Sequence, residues 1–562
     1  MACLGTGYLM ISRSLNYFLN LSMYVYGFMI QKRKGIEVPE EFERRLKRWS
    51  FTTLLRAAIL VLAALVVAVF AIDSGAQSIS SQSGGQRPLP TQQATLAISP
   101  KVGLSWQGFG ASGAWWPGPV SGFSQAAKDQ LGRVLFSRSG LYLAQYRYNI
   151  GGGGVGVIVP WKAPPTFYVG PGKYNWSADH AGVEFLKMAN RYHVPDLVGF
   201  VNSAPTRFTT NHLSCGGSLN PFDVSSYATY LAQVIQGIKL HFGVTINYVS
   251  PMNEPDNNFG SCKQEGMAVP VSLRSRVVIA VGKALAKYAP WCKELADESS
   301  KVSTLLLPHL DAWANNPATL KYLAVVAHHL YDFPNSTVLS KMATKIASLH
   351  KPSWMTEICC YNGAHFGYQY DPTMVSGMWL AHTIYSDITY GRDSAFDWWT
   401  AVSPNLGCDP KSIPGCWDQV NYLGRNDGLA YYDISGAKNG DQNFYLTKRY
   451  FVFGNYSRFI RPGAKIHFVQ SDSSNVFAIA SKTQNTWTVV VGNESSSSTP
   501  MTLEIDFPNT RYSLVPTKTI VTDVASSWQE GNLPEVKGGT AIASIPPNSV
   551  TTFIFQSKVE AR

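Results

Sequence analysis

Two short stretches each end an apolar run on a glutamate. One is Tyr248-Val249-Ser250-Pro251-Met252-Asn253-Glu254-Pro255; the other is Ser353-Trp354-Met355-Thr356-Glu357-Ile358. Pro255 cannot donate to a sheet ladder, so it stops the first strand and leaves Asn253 and Glu254 at its tip. Two carboxyls from separate strand ends suit cleavage of a glycosidic bond, which needs one protonated and one ionised group about the scissile linkage. A single glutamate at a strand end is ordinarily a surface residue or half of an ion pair. Two of them, one within Asn-Glu-Pro, carry the argument.

Such strand ends must be held by a larger sheet. Short apolar runs at 104–109, 141–149, 196–202, 246–251, 303–308, 325–331, 353–358 and 395–401 alternate with amphipathic stretches at 124–137, 182–193, 225–241, 274–288, 317–325, 337–349 and 374–391. Eight strands alternating with helices predict an α/β chain folded as a closed (β/α)8 barrel, whose C-terminal strand ends converge on one mouth. An open doubly wound sheet is the alternative. No G-x-G-x-x-G follows the first strand to favour it, and Gly151–Gly154 reads as a plain loop. From about Ala464 the period changes to two, as in Val476–Ala480 and Thr486–Val491, which predicts a C-terminal β-sandwich.

Around the two glutamates, Asn253 is placed to bond a sugar 2-hydroxyl, and Arg147, near the end of strand two, to keep one carboxylate ionised. His329 and Tyr331 end strand six on one face. Trp398 and Trp399 end strand eight and can floor a sugar site; Trp115 and Trp116 follow strand one and can wall it. Tryptophans at such positions fill cores at least as often.

The whole chain has 562 residues, 45% of them hydrophobic, with 15 Trp and 28 Tyr. Its net charge is +11, of which residues 1–76 (9 Lys/Arg, 5 Asp/Glu) supply +4 and the remainder +7. No dense Lys/Arg patch interleaved with aromatics is present, which argues against nucleic-acid binding. The chain reads as a leader over 1–56, an apolar segment over 57–76, a Ser/Gly/Gln linker over 77–95, the barrel over 96–463 and the sandwich over 464–562. Arg44, Arg45, Lys47, Arg48 and Arg56 precede the apolar segment and orient it with its N-terminus in the cytosol. It is either the core of a secretory signal or a type II single-pass anchor, and both deliver the rest of the chain outside the cytosol, to be secreted or tethered. Sequons at Asn175, Asn335, Asn455 and Asn493 agree weakly. Seven cysteines follow the leader, so one is expected to stay free, and Cys408 with Cys416 is the easiest pair to close. No metal-ligand spacing appears, so neither metal nor cofactor is implied, and a monomer is expected.

Together Gly108–Trp116, Tyr146–Gly152, Val249–Pro255, His329–Tyr331, Trp354–Glu357 and Ser457–Gly463 resemble glycoside hydrolase family 30, above all its fungal endo-β-1,6-galactanases. The resemblance implies a retaining mechanism with Glu254 as acid/base and Glu357 as nucleophile. It also implies a −1 subsite lined by Arg147, Asn253, His329, Tyr331 and a strand-eight Trp, and a polysaccharide or oligosaccharide substrate. Relatives that act on β-1,6-glucan, glucosylceramide or xylan remain alternatives for the substrate. A carbohydrate-binding wall protein that has lost turnover, and a transglycosylase, are the alternatives for activity.

Overall fold

The computed structural model describes residues 92–438, 440–508 and 512–559. Cys3, the leader, the 57–76 segment and nearly all of the linker lie outside them. Among the described residues no helix is long and apolar enough to cross a membrane.

Eight parallel strands close into a barrel: β1 (Gly108–Gly113), β2 (Gln145–Asn149), β3 (Asp196–Phe200), β4 (Tyr248–Ser250), β5 (Lys293–Ser299), β6 (Leu323–His329), β7 (Ser353–Glu357) and β8 (Ala395–Trp398). They follow chain order, and β8 closes on β1 with Phe396 opposite Phe109 and Trp398 opposite Ala111. At Gly110 an added Cβ would lie 2.1 Å from Asp397 Oδ1 and 2.6 Å from Gln145 Cβ, so only glycine lets β1 pack this closely on its neighbours. The outer helices form where the apolar period requires. In His180–Arg191 the residues Val183, Phe185, Leu186, Met188 and Ala189 are buried, and Asp179 caps the first turn by accepting from Gly182 N at 3.1 Å.

Two expected strands are corrected. The run 303–308 is helical: a π-turn over Val302–Leu306 leads into the helix Leu307–Ala314, with Pro308 in its first turn where no amide bond is lost. The fifth strand is Lys293–Ser299 instead. It hides from pattern reading because Glu294, Asp297, Glu298 and Ser299 are all buried, whereas parallel barrel strands ordinarily read as apolar runs. Arg274 makes this tolerable on one side, its guanidinium lying 2.6 Å from Asp297 Oδ2. The run 104–109 likewise spans the end of one strand and the start of another.

That earlier strand, Gln93–Ser105, belongs to the second domain. It pairs antiparallel with Lys465–Ser471 and parallel with Met501–Asp506, so residues 96–105 lie in the β-domain, not at the start of the barrel as the 96–463 boundary has it. The reason is its period of two: Ala94, Leu96 and Ile98 are buried in the core of the C-terminal strands. The ten-stranded sheet curls over that core. Trp487 and Phe507 come from strand regions four places apart, which a flat sheet would separate by about 19 Å at 4.8 Å per strand; their ring centroids are 5.6 Å apart.

Asn455 bolts the helix Lys448–Ser457 to this domain. Its amide donates to Thr552 Oγ1 at 3.0 Å and Ile520 O at 3.2 Å and accepts from Thr522 Oγ1 at 2.6 Å. Asn493 is equally enclosed, donating to Pro546 O at 2.8 Å. Both amides are buried and bonded, so neither is an acceptor for a glycan in the folded chain, while Asn175 and Asn335 are exposed. The cysteines pair as Cys215–Cys262, Cys359–Cys360 and Cys408–Cys416, leaving Cys292 free and buried, as the odd count requires.

Candidate active site

The strand ends of β2, β4, β5, β6 and β7 bring seven polar side chains into one cluster: Arg147, Asn253, Glu254, Glu298, His329, Tyr331 and Glu357. Arg147, pointing inward from β2, donates through one nitrogen to Glu357 Oε2 at 3.0 Å and Ser112 Oγ at 2.9 Å. Its second nitrogen donates to Asn253 Oδ1 at 3.2 Å and to both oxygens of Glu298 at 3.2–3.3 Å. Tyr331 donates to the other oxygen of Glu357 at 2.9 Å. His329 spans the remaining pair, with Nδ1 at 3.3 Å from Glu254 Oε1 and Nε2 at 2.8 Å from Glu298 Oε2. Glu254 itself sits just past β4 in a left-handed backbone turn (φ 44°), its amide anchored on Glu298 O at 3.1 Å.

One carboxylate oxygen of Glu254 and one of Glu357 lie within 4.8 Å of each other and of a His329 nitrogen. That separation is close to the roughly 5 Å of retaining glycosidases and well short of the 6.5 Å or more that leaves room for an inverting water. The trio is close enough to hold a cation. The His329 pKa is raised to about 10: burial opposes this, and the charge of Glu357 with hydrogen bonds to Glu254 and Glu298 outweighs it.

The two carboxyls differ in surroundings. Glu254 has no cation other than His329 in contact, and burial pushes its carboxyl above the usual carboxylate range. Glu357 accepts from both Arg147 and Tyr331.

The aromatic candidates divide by strand geometry, since adjacent residues face opposite sides. Trp399 packs edge-on against Trp115 at 4.7 Å, Trp115 meets Trp161 at 6.1 Å, and the Trp399 amide donates to Ile358 O at 3.0 Å, next to Glu357. Trp116 and Trp398 are not brought to the mouth. Trp116 is fully buried against Phe185 at 4.6 Å, and Trp398 donates its ring N–H to Asp427 O at 2.9 Å in the core. Both are fully buried, whereas the sequence reading offers them for the wall and floor of a sugar site.

Glu298 is the member to which the sequence does not point. The signal was available: Leu295-Ala296-Asp297-Glu298 is an apolar pair running into carboxyls, the same form as Met355-Thr356-Glu357, but it is masked by the charged start of β5. Glu298 touches Arg147, His329 and Thr356 and faces no open space, so it positions the residues that do. Burial alone would raise its pKa, yet the charge of Arg147 and the hydrogen bond and charge of His329 bring it down to about 2.

These shifts set a stability window. Glu298, lowered from 4.5 to about 2, stabilises the fold fully above 4.5 and loses this as pH falls toward 2. His329, raised from 6.5 to about 10, stabilises it fully below 6.5 and loses this as pH climbs through about 10. The pair is at full strength between those unfolded values. Glu298→Gln is expected to lower stability there by about 3–5 kcal/mol, the usual cost of orphaning a buried charge. A thermal melt series from pH 3 to 10 checks it: the loss should be greatest near pH 5.5, and a pH-independent loss would refute the assignment.

The description of O-glycosyl hydrolase family 30 matches residues 101–409. The chain belongs to that family. The endo-beta-1,6-galactanase of Hypocrea rufa is 26% identical over 219 residues, 33% of this chain and 45% of that protein. The chain thus spans about 45% of the length of the curated relative it matches. Among solved structures, a conserved exported protein from Bacteroides fragilis is similar with a TM-score of 0.69 at 20% identity, over 82% of this chain and 100% of that one. The catalytic domain of the family 30 xylanase C from Talaromyces cellulolyticus gives 0.61 at 22% identity, over 82% and 100%. These two likenesses carry the fold: a family 30 barrel with a β-domain.

Proposed function

We propose that this family 30 chain is a retaining glycoside hydrolase that cleaves β-1,6-galactan. The observation that carries the chemistry is the approach of Glu254 and Glu357 to within 4.8 Å. Arg147 and Tyr331 donate to Glu357, the proposed nucleophile, while burial raises the pKa of Glu254, the proposed proton donor. Glu357 attacks the anomeric carbon, and Glu254 gives its proton to the departing oxygen. Glu254 then takes a proton from the water that displaces Glu357, regenerating both groups. Asn253, held by Arg147, has its amide nitrogen left for the sugar 2-hydroxyl. Trp399, whose amide bonds Ile358 O beside Glu357, is the strand-eight ring proposed to meet the sugar.

The β-1,6-galactosyl substrate is favoured by the name of the Hypocrea rufa relative and by the motifs quoted above. Export from the cytosol is supported by three disulfides in one chain, which form and persist in oxidising compartments. The test is product release from de-arabinosylated arabinogalactan, β-1,6-glucan and xylan. Release of β-1,6-galacto-oligosaccharides alone is expected. Release from another polymer would keep the two glutamates and overturn the substrate; silence on all three would overturn the activity.

A further inference from the structure

The residues that follow the nucleophile candidate are two consecutive cysteines joined to each other, Cys359 and Cys360. The ring they form is not remote from the chemistry. Tyr331 Oη lies 2.9 Å from Glu357 Oε1 and 3.9 Å from Cys359 Sγ, so one hydroxyl separates the sulfur from the reacting carboxylate. Cys359 is buried and Cys360 half-buried, so the ring runs from beside Tyr331 towards the surface.

The loop beyond the ring is held from several sides. Cys360 donates to Asn426 O at 3.3 Å, Gly367 donates back to Cys360 O at 3.0 Å, and Tyr361 bridges to Phe366. On it stands a group of aromatic rings. Phe333, from the loop after β6, lies 5.1 Å from Tyr361 and 5.3 Å from Phe366, and Tyr361 rests on the half-buried Trp379 at 5.6 Å. Phe366 is 56% exposed and Phe333 36%. Exposed phenylalanines clustered on a braced loop beside a catalytic mouth are unexpected of a surface whose only task is solubility.

We propose that the Cys359–Cys360 ring and the Phe333, Tyr361 and Phe366 side chains form a sugar-stacking platform for units of the same polysaccharide chain next to the scissile residue. Pyranose rings present apolar C–H faces, and the platform offers matching surface: a polarisable disulfide at the inner end and aromatic rings further out. The covalent ring stiffens the chain where it leaves β7, so the aromatics are presented already ordered and less freedom is lost on binding. The occupant is argued from continuity, since the platform begins one side chain from Glu357. The inference rests on the carbohydrate reading of the site and adds a binding surface to it.

The test separates the two. Full-chain Glu357→Gln protein serves as a binding-only form and is run by affinity electrophoresis through gels holding de-arabinosylated arabinogalactan, β-1,6-glucan or xylan. Adding Phe366→Ala is expected to weaken retention at least tenfold on the polymer retained best, and Cys359→Ser with Cys360→Ser to do so at least fivefold. Phe366→Tyr should restore most of the retention, which a merely structural role would not predict. In the catalytically intact chain, Phe366→Ala should raise KM for the polymer at least tenfold relative to KM for an aryl monoglycoside, with little change in kcat. Retention by Phe366→Ala equal to its parent overturns the platform even if hydrolysis is confirmed, as does failure of the Glu357→Gln protein to be retained by any polymer. Loss of retention in a chain whose wild type hydrolyses none of the three leaves the platform standing and sinks the hydrolase reading alone.

Discussion

Glu357→Gln is expected to lower kcat by at least about 10⁴-fold, or about 5–6 kcal/mol at 1.4 kcal/mol per decade. The amide is close in shape to the carboxylate: its one oxygen can still accept from Arg147, which lies 3.0 Å from Oε2, while its NH2 group takes the place of the oxygen that faces Tyr331 and donates to that hydroxyl. Binding should therefore survive while the nucleophile is lost. Mass spectrometry supplies the complementary view: a 2-fluoro glycosyl fluoride should label the wild-type chain on the peptide holding Glu357, and not label the variant. Turnover above a hundredth of the wild-type rate in Glu357→Gln, or label on another residue, would remove Glu357 from the role. The Arg147 guanidinium would then face an uncharged side chain, with Glu298 as its remaining buried carboxylate partner in direct contact. A modest loss of stability is expected alongside the loss of rate.

The second large effect is on the proton donor. Glu254→Ala is expected to cost about 10²–10⁴-fold on a natural glycoside, where the leaving oxygen needs a proton. Much less is lost on an aryl glycoside whose leaving group departs unaided, and there the slow step becomes release of the glycosyl-enzyme. Azide, which needs no base to attack, should restore turnover and give a glycosyl azide of retained configuration. The pH dependence follows from the raised pKa of Glu254. Activity requires it protonated at the first step, so the wild-type alkaline limb should lie above the ordinary carboxylate range, and Glu254→Ala should lose that limb. An unchanged limb, or an inverted azide product, would refute the assignment. Glu298→Gln should move the same limb, because it releases one of the two bonds that hold His329 protonated beside Glu254.

Several features of the molecule could be read without a fold. The Asn-Glu-Pro tip and the Met-Thr-Glu tip are local: a short apolar run, a proline stop and a terminal carboxyl are set by neighbours in sequence. Alternation of short apolar runs with helical, period-3.6 stretches likewise announced the barrel, and the odd cysteine count announced a free thiol, Cys292. Arg147, Asn253, His329 and Tyr331 are similarly legible from their place at strand ends, and the structure gathers all four round Glu357 or Glu254.

Other features depended on contacts between distant parts of the chain. Which tryptophan of each pair faces the mouth is a matter of one residue's phase, which only the strand's seat in the barrel decides. Trp115 and Trp399 pack edge to face near the end of strand eight, while Trp116 and Trp398 are fully buried in the core. Strand β5 carries four buried polar residues, and the partners of Asp297, Glu298 and Ser299, Arg274 and Arg147 among them, come from elsewhere in the sequence, so its own composition argues against it. Gln93–Ser105 precedes the barrel yet pairs with Lys465–Ser471, Leu96 lying opposite Ser471 and Ser105 opposite Lys465, because a period-two strand is completed by whichever sheet edge its apolar face fits. Asn455 shows the same from the other side: its triplet is a sequon by spelling, and its burial against Thr522 and Thr552 makes it a structural bolt. The sequence by itself determined which residues can do the chemistry and the periods that build the barrel. The tertiary structure decided their partners, because burial, phase and charge pairing are properties of neighbours in space.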